Sequence, residues 1–384
     1  MRVRVVSGAR APGGPWSHAA HLAEGLAARG ITSELVVVAQ PGVPLPRTER
    51  ATLRVLPAAG GSGEPDDLAE RDVNGLARVL SSDAPVDILH AEDAVAGRAA
   101  RLAGRATALV LTVHHLEATT SDAMEELQRA AIQDADACVT ATAYWAERIA
   151  TLFGVEADVI PNGVDSAFGA CALSRGEART GFGWGPGPIV LGLGGIARRK
   201  GTRLLLEAFA RGRPGLGPEA LLVVLGPTDG PSADTYVRGF HDDAERLGLH
   251  VGAPGPAPSG PSVQLLGSLA AEHMPALFRA VDLVAVPSTR EGSPLVVLEA
   301  AAAGRPAVVS DLPSLRESLV ADEDVVMVPT GHAGALADAM VRLISEPRLA
   351  DALVSGAARR ARAATWDAAV VAHLALYRRL LAGG

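Results

Sequence analysis

One stretch of this chain, residues 287–311, constrains the fold more than any other. It reads PSTREGSPLVVLEAAAAGRPAVVSD and follows an apolar run at residues 283–286 that predicts a strand. Ser293 suits a helix N-cap, Pro294 suits the first helical position, and Gly304 ends a run of strong helix formers. The apolar residues 307–310 then predict another strand. Strand, helix and strand in this order predict a parallel sheet with helices on its faces.

The start of the predicted helix is a potential anion site. The backbone amides of Leu295 and Val296 would lack intrahelical acceptors, and the helix dipole is positive at that end, so a phosphate can bind there. Glu299 would lie about 9 Å further along the helix axis, and an acceptor-only carboxylate suits the diol of a ribose. Glu291, in the loop with Gly292, could face whatever lies beyond the phosphate, such as a sugar.

A second loop carries the only lysine of the chain. Lysine and arginine together number 35, and Lys200 is the single lysine among them. It lies next to the end of the segment LGGIARRKG at residues 193–201, where Gly194 and Gly195 would let the backbone approach a phosphate. Because all the other residues in this count are arginine, the retained lysine indicates a role that a planar guanidinium fills poorly.

The pair Glu291 and Glu299, eight residues apart in EGSPLVVLEA, resembles the paired-glutamate motif of retaining GT-B glycosyltransferases, most closely glycosyltransferase family 4. The loop that ends at Lys200 is similar to the phosphate loop of that family, and the resemblance extends over nearly the whole chain. Many members carry arginine directly after the first glycine, where this chain has Gly195.

Arg198 or Arg199 would replace the missing family arginine. Arg199 is the better candidate because it is adjacent to Lys200. The backbone near residues 267–269 would read the base of the donor.

Length and periodicity predict two α/β domains. At 384 residues, a prior of about 150 residues per domain gives two or three. Apolar strands alternate with helical segments on both sides of a Gly- and Pro-rich segment, 166–188, which we interpret as a linker. The resemblance implies the GT-B fold, in which two doubly wound Rossmann-like domains face a central cleft. Residues 1–165, completed by a last helix at 366–384, would form the acceptor side, and residues 189–365 the nucleotide-sugar side.

The N-terminal domain offers weaker candidates. Gly13 and Gly14, before a helix predicted at residues 16–29, are similar to the family's first-domain glycine loop, which approaches the sugar and acceptor. The resemblance also implies a histidine at a strand end that touches the donor sugar, and His114 fits that spacing better than His115. His90 ends another strand and has two open interpretations, a residue on the acceptor side or a structural one.

A metal requirement is not expected. Asp134 and Asp136 match the carboxylate pair with which metal-dependent glycosyltransferases of another fold hold a divalent ion, but their place at a helix end favours solvated charges. Lys200, Arg199 and the helix start would neutralise the charge instead. We expect no cofactor besides the donor substrate.

Composition excludes several other classes. A net charge of −8 argues against nucleic-acid binding. The two cysteines, Cys138 and Cys171, form no CxxC pair and indicate a reducing compartment. Since no apolar run reaches about 18 residues, we expect no membrane span and a cytoplasmic protein. A lipid-linked acceptor would draw the first domain to a membrane surface.

The expected reaction moves a sugar from a nucleoside diphosphate sugar to an acceptor hydroxyl with retained anomeric configuration. We expect Glu291, Lys200 and His114 to act in catalysis. The expected donor-binding residues are Arg198, Arg199, Gly194, Gly195, Gly292, Ser293, Pro294, Leu295, Val296 and Glu299. Two alternatives stay open: a nucleotide-sugar epimerase of the same fold, and a nucleotide-sugar-binding regulator without turnover. The sequence leaves the base, the sugar, the acceptor and the oligomeric state undetermined.

Overall fold

The chain forms two compact units. The computed structural model describes residues 1–60, 65–116, 121–227, 233–252 and 262–383. The first unit comprises Met1–Gly163 with Ala364–Gly384, and the second comprises Val164–Ala363. No helix within the described ranges is long and apolar enough to cross a membrane.

The first unit is a seven-stranded parallel sheet in the order β3-β2-β1-β4-β5-β6-β7, with helices between the strands. Its strands are β1 (Arg2–Ser7), β2 (Thr32–Ala39), β3 (Thr52–Pro57), β4 (Val86–Ala91), β5 (Ala106–Thr112), β6 (Ala137–Thr140) and β7 (Ala157–Val159). Its helices are α1 (Gly14–Ala27), α2 (Pro65–Ser82), α3 (Ala94–Ala103), α4 (Asp122–Asp134), α5 (Ala143–Phe153) and α15 (Trp366–Gly383).

The central strand of this sheet is β1, which pairs with β2 on one side and β4 on the other. Val5 lies beside Leu35 and His90, its partners in those two strands. The neighbouring strand β2 contains the apolar run at residues 35–39, which is buried because helices cover both faces of a parallel sheet. Since the strand order reverses between β1 and β4, the loops after these strands flank the crevice where doubly wound sheets bind ligands.

The last helix, α15, packs in the core of the first unit. Val370 and Tyr377 are buried there beside residues of α1. A Cβ at Gly25 of α1 would lie 2.4 Å from a methyl of Val370, so the two helices approach closely at this glycine. The chain therefore returns to its first unit, as expected for the GT-B fold.

The second unit is another seven-stranded parallel sheet, in the order β10-β11-β9-β8-β12-β13-β14. Its strands are β8 (Ile189–Leu193), β9 (Leu221–Leu225), β10 (His250–Gly252), β11 (Ser262–Gly267), β12 (Leu283–Val286), β13 (Ala307–Ser310) and β14 (Val326–Val328). Its helices are α6 (Ala167–Ala170), α7 (Arg175–Phe182), α8 (Thr202–Leu216), α9 (Ala233–Arg246), α10 (Met274–Ala280), α11 (Leu295–Ala302), α12 (Pro313–Arg316), α13 (Ala333–Ser345) and α14 (Pro347–Ala363), and Ala271–His273 forms a 3-10 turn before α10.

The reversal of strand order in the second unit lies between β8 and β12. Leu283 of β12 pairs with Val190 of β8. The loop that contains Lys200 follows β8, and the loop that contains Glu291 follows β12. The two motifs singled out from the sequence therefore follow adjacent strands, at the carboxyl ends of the strands of one sheet.

The prediction that residues 166–188 form a linker is wrong. The segment contains α6 and α7 and packs within the second unit. Arg179 of α7 is buried, and its guanidinium donates to the carbonyl of Ala280 at 2.8 Å and to Asp282 at 2.5 Å. The sequence did contain a sign of a helix here, because Ser174 and Glu177 form a complete capping box at the start of α7. The high glycine and proline content of the segment led to the linker prediction instead.

Candidate active site

Lys200 and Glu291 form an ion pair at the strand reversal of the second unit. The ammonium Nζ lies 2.8 Å from Glu291 Oε1, and the side chains are 16% and 13% exposed. Ser288 donates its hydroxyl to the same oxygen at 2.6 Å, and Ser314 donates to the backbone carbonyl of Glu291 at 2.7 Å. Burial alone would raise the pKa of Glu291, but the charges of Lys200 and Arg199 and the hydrogen bonds from Lys200 and Ser288 outweigh burial and hold that pKa below its usual value. The carboxylate is therefore ionised and fixed in place.

The structure brings Arg199 to this pair and takes Arg198 elsewhere. Arg199 Nη1 lies 4.0 Å from Glu291 Oε2 and donates to the carbonyl of Arg290 at 3.3 Å. The guanidinium of Arg198 instead lies over the ring of Tyr236, 5.2 Å from its centroid. This placement favours Arg199 as the residue that takes the place of the missing family arginine.

The two glycines of the loop that contains Lys200 were expected to let the backbone approach a phosphate, but the structure gives them another role. Gly194 and Gly195 have φ angles of 104° and 72°, which glycine adopts without strain. Both amides donate to the carbonyl of Leu225 at 2.8 Å, so they do not point at a phosphate. A Cβ at Gly194 would lie 2.6 Å from the stem of Lys200, and one at Gly195 would lie 1.9 Å from the carbonyl oxygen of Pro227. The glycines thus make room for Lys200 and for the neighbouring loop.

Helix α11 begins one residue later than expected. Pro294 is the N-cap, not the first helical residue, and its carbonyl accepts from the amides of Val297 and Leu298 at 2.9 and 3.1 Å. The amides of Leu295 and Val296 have no acceptor among the described contacts. Both stand at the positive end of the helix dipole, as an anion site requires. Gly292 and Ser293 separate this helix start from Glu291 along the chain.

Glu299 lies in the second turn of α11 in an environment that favours its protonated form. Burial, with a further contribution from the charge of Asp165, raises the pKa of Glu299 to about 8. Asp165 belongs to the segment PNGVD, which the sequence suggested only as a turn. Asp165 was therefore missed, and its place beside a predicted ribose-binding residue could not be inferred from the chain order.

A second polar cluster lies at the strand reversal of the first unit, around Glu92. Its carboxylate follows β4, is fully buried, and lies 2.9 and 3.0 Å from Nδ1 of His18 on α1. Nε2 of His114, two residues after β5, lies 3.0 Å from Glu92 Oε2. Burial alone would raise the pKa of Glu92, but His18 and His114 outweigh it and hold that pKa well below the usual range. Glu92 and His18 were missed, because the segment HAED at the end of β4 does not show in the sequence which residues pack against it.

His90 is a structural residue, so its suggested place on the acceptor side is wrong. The side chain is fully buried, Nδ1 lies 2.6 Å from the hydroxyl of Tyr377, and Nε2 lies 2.6 Å from Thr112 Oγ1. Both ring nitrogens are therefore engaged within the first unit.

Gly13 and Gly14 are exposed at the start of α1, where Gly13 is the N-cap.

Two groups of residues bear on metal binding. Asp134 pairs with Arg98 at 3.0 Å and Asp136 accepts from the amide of Leu109 at 2.7 Å, so these carboxylates do not converge. The ligand atoms of the Glu92 cluster do lie within 4.8 Å of one another. Since both oxygens of Glu92 are already within hydrogen-bond distance of ring nitrogens, we assign this cluster as a hydrogen-bonded network.

Comparison with known proteins agrees with this geometry. Residues 12–168 match the family described as Glycosyltransferase Family 4, and residues 187–346 match the family described as Glycosyl transferases group 1. A D-inositol 3-phosphate glycosyltransferase of Stackebrandtia nassauensis is 30% identical over 376 residues, which cover 89% of this chain and 81% of that protein. The chain belongs to glycosyltransferase family 4. It is a glycosyltransferase, as its sequence predicted.

Other similar proteins agree with the family and the fold. A protein of the same description from Xylanimonas cellulosilytica is 29% identical over 398 residues and is covered to 91%. Sucrose-phosphate synthase from Thermosynechococcus elongatus has a TM-score of 0.78 at 21% identity, with both chains covered completely. HepE from Anabaena, solved in complex with UDP-glucose, has a TM-score of 0.72 at 18% identity and covers 98% of this glycosyltransferase and 99% of its own chain. The GT-B fold is therefore confirmed.

Proposed function

We propose that this glycosyltransferase takes its sugar from a nucleoside diphosphate sugar, retains the anomeric configuration and needs no metal ion. The observation that carries the proposal is the ammonium of Lys200, held 2.8 Å from Glu291 at the edge of the sheet where α11 begins. A fixed cation beside a helix N-terminus is suited to an anionic leaving group, whose charge grows as the glycosidic bond breaks.

The proposed roles follow from charge and hydrogen-bonding capacity. Lys200, Arg199 and the amides of Leu295 and Val296 bind the diphosphate. Glu299 binds the ribose, and its carboxyl can both donate and accept while it is protonated. Glu291 and His114 orient the transferred sugar.

Retention is proposed to proceed by attack on the same face from which the diphosphate leaves. The bond from the anomeric carbon to the phosphate oxygen breaks, and the bond to the acceptor oxygen forms on that face. The proton of the acceptor hydroxyl passes to the departing phosphate oxygen. We assign Glu291 to orientation and not to nucleophilic attack, because the charge of Lys200 and the hydrogen bond from Ser288 lower its pKa and with it the basicity of its carboxylate.

The first test is a thermal-shift screen against UDP-, GDP-, ADP- and TDP-sugars in EDTA, because a bound ligand raises the melting temperature. UDP-glucose is the first candidate, because HepE was solved with that donor bound. Turnover of the best donor in EDTA, with the product anomer determined by NMR, tests retention and metal independence together. We expect a shift, slow donor hydrolysis and a retained anomer. Loss of turnover in EDTA with recovery on manganese, or an inverted product, would contradict the proposal.

The same screen separates the alternatives. Deuterium uptake at C2 of the donor sugar in heavy water would indicate an epimerase, and binding without any chemistry would indicate a regulator. Acceptors are then tested with the best donor. The names of the relatives make an inositol phosphate the first acceptor to try.

A further inference from the structure

Glu92, the centre of the polar cluster in the first unit, needs a role of its own. Its carboxylate is fully buried, and in the described part of the chain its ion-pair partners are His18, His90 and His114, with no lysine or arginine. Burying a carboxylate is costly unless hydrogen bonds compensate for lost hydration. A chain that needed only a core at this position would be more stable with an apolar residue, which makes a function for this carboxylate the better explanation.

The protons in the cluster can be assigned from hydrogen-bonding capacity. An ionised carboxylate only accepts, so each ring nitrogen that faces it must carry a proton. Nε2 of His114 is therefore the protonated nitrogen, and so is Nδ1 of His18. Burial lowers the pKa of His114 more than Glu92 raises it, so the ring is neutral near pH 7. Its Nδ1 then carries a lone pair and is a hydrogen-bond acceptor.

The cluster has a buried side and an accessible side. Glu92 is fully buried and His18 is 4% exposed, whereas His114 is 16% exposed. No described contact occupies Nδ1 of His114. The ring thus has its protonated nitrogen tied to the interior and its second nitrogen available to a ligand.

We propose that Glu92 is the positioning residue that holds His114 as the Nε2–H tautomer and so presents Nδ1 as an acceptor to a hydroxyl of the bound sugar. His18 supports Glu92 by contacting both of its oxygens. The inference rests on the proposed function, because the hydroxyl belongs to the transferred sugar. It adds that His114 accepts a hydrogen bond and does not donate one, and that Glu92 determines this.

The tautomer can be measured without any substrate. Nitrogen-15 NMR of protein labelled at histidine distinguishes the two ring nitrogens, and the spectrum of His114→Ala assigns the resonances. We expect the Nε2–H tautomer in the wild type and a mixture in Glu92→Gln, since an amide can donate to or accept from the ring. Asp83→Asn is the matched control, because Asp83 pairs with Arg54 and Arg4 and not with the cluster. An unchanged tautomer in Glu92→Gln would overturn the proposal.

A double-mutant cycle then tests whether Glu92 acts through His114. The probe is hydrolysis of UDP-glucose, or of the best donor from the screen. We expect Glu92→Gln to lower kcat by roughly tenfold or more, the scale for a carboxylate that orients a histidine ligand. In the His114→Ala background the same change should alter kcat by less than about twofold. Equal losses in both backgrounds would show that Glu92 acts only on the fold.

Two outcomes separate this inference from the proposed function. If the wild type hydrolyses no donor, the proposed function fails, while the NMR comparison still decides whether Glu92 sets the tautomer. If the wild type binds zinc in a one-to-one ratio and His18→Ala does not, the cluster is a metal site and the positioning role is wrong.

Discussion

The two units place a carboxylate at the same topological position, the strand reversal of a doubly wound sheet, but they surround it differently. Glu291 of the second unit faces the ammonium of Lys200 at 2.8 Å. Glu92 of the first unit faces the imidazoles of His18 and His114 at 2.9–3.0 Å. The ammonium of Lys200 suits the neutralisation of an anion. A neutral His114 ring whose Nδ1 carries a lone pair suits a hydrogen bond from a hydroxyl group.

The largest expected effect comes from removing the ammonium of Lys200. Lys200→Ala should lower kcat by about a hundred- to a thousandfold, the scale for one donor that stabilises transition-state charge. Initial rates with the best donor in EDTA measure it. Arg211→Ala, which removes an exposed cation paired with Glu207 on α8, is the control and should have little effect. A Lys200→Ala rate within twofold of the wild type would remove this lysine from the mechanism.

The next effect tests whether the loop geometry around Lys200 requires glycine. Gly195→Ala should lower the free energy of unfolding of the second unit by roughly 3 kcal/mol, because its Cβ would overlap the carbonyl of Pro227 in addition to the strain of a positive φ. Gly217→Ala is the matched control: its φ is 95°, but its Cβ would meet nothing within 4 Å, so about 1 kcal/mol is expected. Denaturant unfolding followed for both variants measures the difference. Equal losses would mean that the loop can move aside.

The pattern of what the sequence predicted follows from how each site is assembled. In the second unit, Lys200 and Glu291 each lie in a contiguous motif, so spacing and the single lysine were enough to find them. The Glu92 cluster draws one residue each from α1, the end of β4 and the end of β5, and α15 packs beside it. Chain order gives no distance between such residues. His114 was found only through the family resemblance, whereas Glu92 and His18 required coordinates.

The helix starts show a finer limit. Ser293 and Pro294 are both plausible caps, and propensity could not decide that Pro294 would take the N-cap position itself. Asp165 was treated as part of a turn because its partner Glu299 is more than a hundred residues away.

A third prediction concerns the pH dependence of stability in the first unit and tests the buried His373 on α15. Burial lowers the pKa of His373 from 6.5 to about 4, so the unfolded chain binds the proton first as the pH falls. Stability present above pH 6.5 is therefore lost between pH 6.5 and 4. At about 1.4 kcal/mol per pKa unit, and with an allowance for water that reaches the ring, we expect a loss of about 2 kcal/mol in the free energy of unfolding. The stability of His373→Leu relative to the wild type should rise by that amount from pH 7.5 to 4.5.

The control for this pH effect is His250→Leu, which removes an exposed histidine of the second unit. Its stability relative to the wild type should change little over the same range. A pH-independent difference for His373→Leu would show that the ring is already protonated or hydrated in the folded protein.

The smallest effect concerns Glu299, whose pKa of about 8 lies above the 4.5 of the unfolded chain. The folded state keeps the proton that the unfolded state releases, so stability present below pH 4.5 is lost as the pH rises through 8. Glu299→Gln should therefore gain about 1 kcal/mol over the wild type between pH 5 and 8.5, a modest value because the side chain is only partly buried. The exposed Glu207→Gln is the control. No gain at high pH would mean that Glu299 is ionised in the folded protein.

The most direct test of the central claim compares the affinities of a nucleoside diphosphate and its nucleoside in EDTA, by calorimetry with UDP and uridine first. We expect UDP to bind the wild type at least about a hundredfold more tightly than uridine, a difference of about 2.7 kcal/mol from the diphosphate. In Lys200→Ala that ratio should fall below about tenfold, with uridine binding unchanged. A wild-type ratio that disappears in EDTA and returns with a divalent ion, or one that survives in Lys200→Ala, would contradict the claim that Lys200 neutralises the leaving group.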